Sequence, residues 1–256
     1  MWILLGLLWG VLLVRPAGAE DLYLEYRVSW SLVPLGKIEL WEKEGQAVAY
    51  AYTTGLGALI LPFKSLWQTE INRRGEPLRT VIEVLERGKA KRKCLYFDRQ
   101  GGRVVKEKIT PQKYRREVFS ASFPIFDELS GFLAVRTLDW KAPGQTHLLP
   151  VFGGKKAHLA RVRFKGRKEI RTFRGREKVA EIEVALPFES ELLKRSPRIR
   201  MYLSADGLPV VVKGKIPLGH LTARLQRVLG AGSAPPPPKA LLHSVLKAPD
   251  GVCRGD

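Results

Sequence analysis

The chain has 256 residues, with 44 Lys and Arg against 25 Asp and Glu, and a formal charge of +19. That length suffices for one domain with a real core. Two cysteines, Cys94 and Cys253, exclude a disulfide scaffold. The positive field attracts anions such as acidic glycans or lipid headgroups. Nucleic acid is not expected, because no recognition motif accompanies the charge.

The first element is an apolar run from Trp2 to Val14, followed by Arg15, Pro16 and Ala17-Gly18-Ala19. It predicts a secretory signal peptide over 1–19, cleaved after Ala19, and hence a periplasmic or cell-envelope location. The run is shorter than the roughly 20 residues of a membrane helix. An uncleaved N-terminal anchor is the alternative. The leader holds Arg15 and no acid, so a mature chain keeps +18.

Strands dominate the rest of the chain. In LYLEYRVSW (22–30) apolar and polar residues alternate with period two, the mark of a half-buried strand. KIEL (37–40), QAVAYAYTT (46–54), SLWQTEIN (65–72), RTVIEVLE (79–86), KRKCLYFD (91–98) and RVVKEKI (103–109) continue the pattern. FDELSGFLAVRTL breaks it, with Leu129, Phe132, Leu133 and Arg136 at helical spacing. Asp127 is the N-cap candidate, giving one helix over about 127–137. ESELLKR (189–195) reads as a short helical turn. HLARVRF (158–164), KEIRTF (168–173), VAEIEVAL (179–186), RIRMYLS (198–204) and LPVVVKGKI (208–216) are further strands.

About a dozen strands and one principal helix predict a mainly β fold. A sheet of that size must curl, as a large antiparallel sheet or a half-open or closed barrel-like spiral, to bury its apolar face. The phrase VPLGKIEL (33–40) returns late as IPLGHLTA (216–223), with Gly36 and Gly219 at matching turn positions. These two turn-strands are expected to be neighbours where the sheet closes. The domain spans 20–229. Residues 230–256 read as a Pro-rich linker and flexible tail, in which ALLHSVLK (240–247) can form a short helix. A Cys94–Cys253 bridge is open to an exported chain.

Chemistry-bearing motifs are scarce. His147, His158, His220 and His243 show no metal-ligand spacing, so no metal or cofactor is expected. Asp127 has a structural role as cap, and is the first carboxylate to test were the chain a glycan-acting enzyme. Trp30, Trp41, Tyr50, Tyr52, Phe63 and Trp67 cluster in the first third and are the candidate lining of an apolar pocket. Residues 87–116 and 155–178 hold 23 of the 44 basic residues. Within the second run Arg161, Arg163 and Lys165 share one strand face, a candidate anion-binding ridge.

Several of these segments together resemble the bacterial domain-of-unknown-function family numbered 3108. They are the early P-x-G turn-strand, the helix start carrying Asp127, Leu129, Ser130 and Arg136, and the late stretch with Asp206, Pro209, Val210, Pro217 and Gly219. The likeness covers about 23–227. FRGREK before the 179–186 strand departs from the family pattern. The resemblance implies an exported, β-rich envelope protein and carries over no catalytic residue. The expected function is a non-enzymatic binding module for an apolar or amphiphilic, lipid-like ligand, whose basic surface meets anionic envelope polymer or membrane. An envelope scaffold without a small ligand is the alternative.

Overall fold

The computed structural model describes residues 21–188, 190, 198–216, 219–242, 246 and 253. The leader read over 1–19 lies outside them, as do nearly all of the turn read at 189–195 and half of 240–247.

Alternation becomes one antiparallel sheet of fourteen strands in two meanders. The first comprises β1 (Leu22–Trp30), β2 (Val33–Lys43), β3 (Gln46–Thr53), β4 (Phe63–Ile71), β5 (Pro77–Glu86), β6 (Lys89–Asp98), β7 (Arg103–Thr110) and β8 (Lys113–Ser120). A short helix, α1 (Leu56–Ile60), connects β3 to β4. The second meander comprises β9 (Thr146–Phe152), β10 (Ala157–Thr172), β11 (Gly175–Ala185), β12 (Arg198–Leu203), β13 (Pro209–Ile216) and β14 (Gly219–Gly230). They join where β1 pairs with β14, Leu22 opposite Gly230 and Trp30 opposite Leu221. The early and late turn-strands are therefore not adjacent. They are β2 and β14, and β1 lies hydrogen-bonded between them.

The sheet curls without closing, leaving β8 and β9 as its edges. Residues 121–126 stitch the seam. Ala121 N–H donates to Gly102 O at 2.8 Å, and Phe126 exchanges backbone bonds with Pro150 and Phe152, both at 2.8 Å. Across the seam Phe119 of β8 meets Phe152 of β9 with ring centroids 5.7 Å apart.

Inside lies α2 (Glu128–Arg136). It is apolar on nearly every side, as a helix enclosed by protein must be. Leu129, Phe132 and Leu133 pack against Leu24, Ala47, Ala49, Trp67 and Leu225. Val135 and Phe132 pack against Val162, Ile182 and Met201 in the other meander.

Its N-terminus is fixed by Asp127, which is buried. Oδ1 accepts from Ser130 N at 2.6 Å and Ser130 Oγ at 2.5 Å. Oδ2 accepts from Thr80 Oγ1 at 2.6 Å and Thr69 Oγ1 at 2.7 Å. Thr69 and Thr80 face each other across β4 and β5. At the other end Arg136 pairs with Glu42 of β2, and its Nε donates to Gly207 O at 3.1 Å.

The two repeated glycines are explained locally. A Cβ on Gly36 would stand 2.0 Å from Tyr52 O, so no side chain fits there. Gly219 has φ +123°, a conformation that glycine alone adopts without strain.

Asp127→Ala removes the cap and leaves the buried Thr69 and Thr80 hydroxyls only their bond to each other, at 3.3 Å. It is expected to destabilise the protein by about 3 kcal/mol or more, read by urea denaturation. Asp127→Asn, which keeps one carbonyl acceptor, is expected to lose less.

Candidate functional site

The six aromatics named as a pocket do not converge. Period-two alternation divides them between the faces of the sheet. Trp67 is buried in the core beside α2, its Nε1 donating to Ser65 Oγ at 3.1 Å. Tyr50 and Tyr52 lie on the outer face, where they stack with centroids 4.7 Å apart. The small Ala47 and Ala49 take the inner face of that strand and make room for the helix. Trp41 is also outward, under the C-terminal segment. Trp30 and Phe63 sit half-buried at strand ends, Trp30 beside Gly219.

The interior is filled. Between α2 and strands β9–β12 there remains an apolar crevice of about 40 Å³, lined by Phe132, Leu149, Val162, Leu186 and Met201 among others. Small-molecule sites run to roughly 300–1,000 Å³. Among the described residues no three His, Cys, Asp or Glu side chains gather as a metal site.

The C-terminal segment, read as flexible, is docked where it is described. Trp41 Nε1 donates to Pro235 O at 2.7 Å. Leu241 and Leu242 N–H donate to Glu83 Oε2 at 2.5 and 3.3 Å, and Cys253 N–H donates to Glu107 Oε2 at 3.1 Å. Leu242 and Leu246 cover Ala90, Cys94 and Ile109. A Cys94–Cys253 disulfide with Cα atoms 5.7 Å apart locks the end in place. Buried Glu83 and Glu107 are thereby explained as acceptors for backbone N–H groups of the tail, which no local pattern announces.

The basic ridge of β10 has the exposure that its alternation predicts. Arg161 and Arg163 are exposed above buried Val162 and Phe164, opposite Ala185 and Glu183 of β11. Lys165 is exposed at a β-bulge, which inserts it after the row. Among the described residues none of the three has an ion pair.

Sequence reasoning missed a second basic cluster on the same outer face. Arg200 of β12 lies directly opposite Lys213 of β13. Tyr202 is buried between them and β10, with Lys168 Nζ 4.6 Å and Lys213 Nζ 5.8 Å from its ring centroid. Both amines sit within cation–π reach. Lys168 is neutralised by Glu181 at 2.8 Å. The Lys213 ammonium is held below the usual lysine range, first by burial, then by Arg224, Lys168 and Arg200, against a weaker opposing pull from Glu181. The cluster assembles from four strands, so only register brings it together.

A long curled sheet wound around one enclosed helix, with open edges, defines a β-barrel-like protein. The chain belongs to the family described as Protein of unknown function (DUF3108), whose model matches residues 25–226. Its fold is similar to the crystal structure of a β-barrel-like protein of domain of unknown function DUF1849 from Brucella abortus. That likeness has a TM-score of 0.56 at 9% identity and covers 83% of this chain and 98% of the other. At that identity it shows the fold alone. No curated protein matches the chain in a sequence comparison.

Cys253→Ser frees a link spanning 159 residues. It is expected to lower global stability by about 2–5 kcal/mol and to speed proteolytic cleavage after residue 230. Denaturant unfolding and timed digestion read the two effects.

Proposed function

We propose that the protein is exported to the cell envelope and acts there by binding, presenting its basic outer face to an anionic envelope polymer. The observation that carries this is the exposed, unpaired ridge of Arg161, Arg163 and Lys165 over a filled interior. Unpaired surface cations attract polyanions and can form charge-assisted bonds with sulfate or phosphate oxygens. The Cys94–Cys253 bridge suits an oxidising compartment, in keeping with the leader read over 1–19. With about 40 Å³ inside, the surface supports binding better than the interior does.

A second reading rests on the apolar lining of the crevice beside α2. A shift of the helix would enlarge it into a seat for an acyl chain. An amphiphile recovered in one-to-one ratio from organic extracts of the natively purified protein would move the assignment there.

The triple variant Arg161→Ala, Arg163→Ala, Lys165→Ala is expected to elute from an immobilised sulfated polysaccharide at clearly lower salt than the parent. Equal elution would sink the polymer-binding proposal.

A further inference from the structure

The outer face of β12–β14 places like charges together in a way that fold stability does not account for. Arg200 and Lys213 are direct cross-strand partners. Arg224 of β14 stands opposite both Val211 of β13 and Arg27 of β1, so a second like-charge pair adjoins the first. Like charges directly opposite each other destabilise a sheet. Among the described residues Arg200, Lys213 and Arg224 have no ion pair. Two acids border the group: Glu181, beside Tyr202, is taken by Lys168 at 2.8 Å, and Glu183 of β11 lies opposite Arg200 on one side and Arg163 on the other. Thr222 lies opposite Lys213 on the other side and adds a hydroxyl to the same face.

We propose that Arg200, Lys213 and Arg224, grouped beside Tyr202 and Thr222, form a discrete binding site for a phosphate-ester group. The inference rests on the binding proposal above and names the chemistry of one site within it. A phosphate monoester carries about two negative charges at neutral pH and three acceptor oxygens. It can accept from the Lys213 ammonium, the guanidinium groups and the Thr222 hydroxyl, and it answers the positive charge of the Arg200–Lys213 and Arg27–Arg224 pairs, which Glu183 opposite Arg200 offsets in part. A carboxylate offers one charge and two oxygens. Tyr202 is nearly fully buried, at 4% exposure, so it forms a rigid floor. Burial first, and then Arg224, Lys168 and Arg200, hold the Lys213 ammonium below the usual lysine range.

The test titrates the mature chain with inorganic phosphate, and with acetate at equal ionic strength, while NMR follows the Lys213 side chain. The expected result is a saturable phosphate shift that acetate does not reproduce, with the Lys213 pKa rising at saturation. Lys213→Gln and Arg200→Gln should each weaken phosphate binding about tenfold, the loss of one charge-assisted contact.

Vesicles bearing a phosphomonoester lipid identify the source. Binding lost in Lys213→Gln assigns the site to a headgroup, and a site that answers only to soluble phosphate assigns it to a free ester. A shift that never saturates, equals that in acetate, or survives Lys213→Gln overturns the site even if the protein still holds sulfated polysaccharide. A protein that binds phosphate at Lys213 and ignores the polysaccharide keeps the site and loses the polymer-binding role.

Discussion

The buried Asp127 carboxylate is the contact on which the rest of the structure depends. An anion inside a protein is tolerable only when its lone pairs are filled. Here two donors come from the helix it caps and two from threonines on neighbouring strands. The same four bonds satisfy the first turn of α2 and fasten that turn to β4 and β5. Arg136 fastens the other end to β2 and to the turn between β12 and β13. The two meanders share one strand pairing, β1 with β14. The helix is a second tie between them, and its apolar sides are the core of both.

The central pairing also answers why the chain repeats a phrase. β1 needs a strand on each side, and the PLG turn-strands supply them. In β2 an extra residue at Leu35 makes a bulge opposite Val28 and Ser29. Gly36 then brings its backbone against Tyr52, closer than any side chain allows. In β14 the positive φ of Gly219 starts the strand, and the His220 carbonyl accepts from Ser31 N–H at 2.7 Å. The two glycines thus serve one end of the same three-strand unit by different means.

Much of this was legible in the residues. Period-two alternation marks most of the strands, because those strands have one buried and one wet face. It fails at β8, KYRREVFS, an edge strand exposed on nearly all sides, where nothing forces alternation. It also splits β10 in two, since the bulge after Phe164 breaks the period without ending the strand. The helix α1 is a single turn, too short to show a period of its own. Clustering aromatics by position along the chain misleads, because neighbours in sequence point to opposite faces. The tail misleads for the opposite reason. Its composition is that of a linker, and what holds it is two glutamates and a cysteine more than a hundred residues away.

Charge is arranged differently on the two meanders. On the first meander, outward acids are consumed internally: Glu83 and Glu107 by the tail, Glu25 by Lys37 at 2.8 Å. On the second, Arg200 of β12 faces Lys213 of β13, and Arg224 of β14 faces Arg27 of β1. The signs alternate in register from Arg163 of β10 through Glu183 of β11 to Arg200 of β12, as a stable sheet favours, and the alternation breaks at Lys213 of β13. Strands β12, β13 and β14 hold no Asp or Glu of their own, so what offsets their outward cations comes from β11 and β1 on either side or from ions in solution.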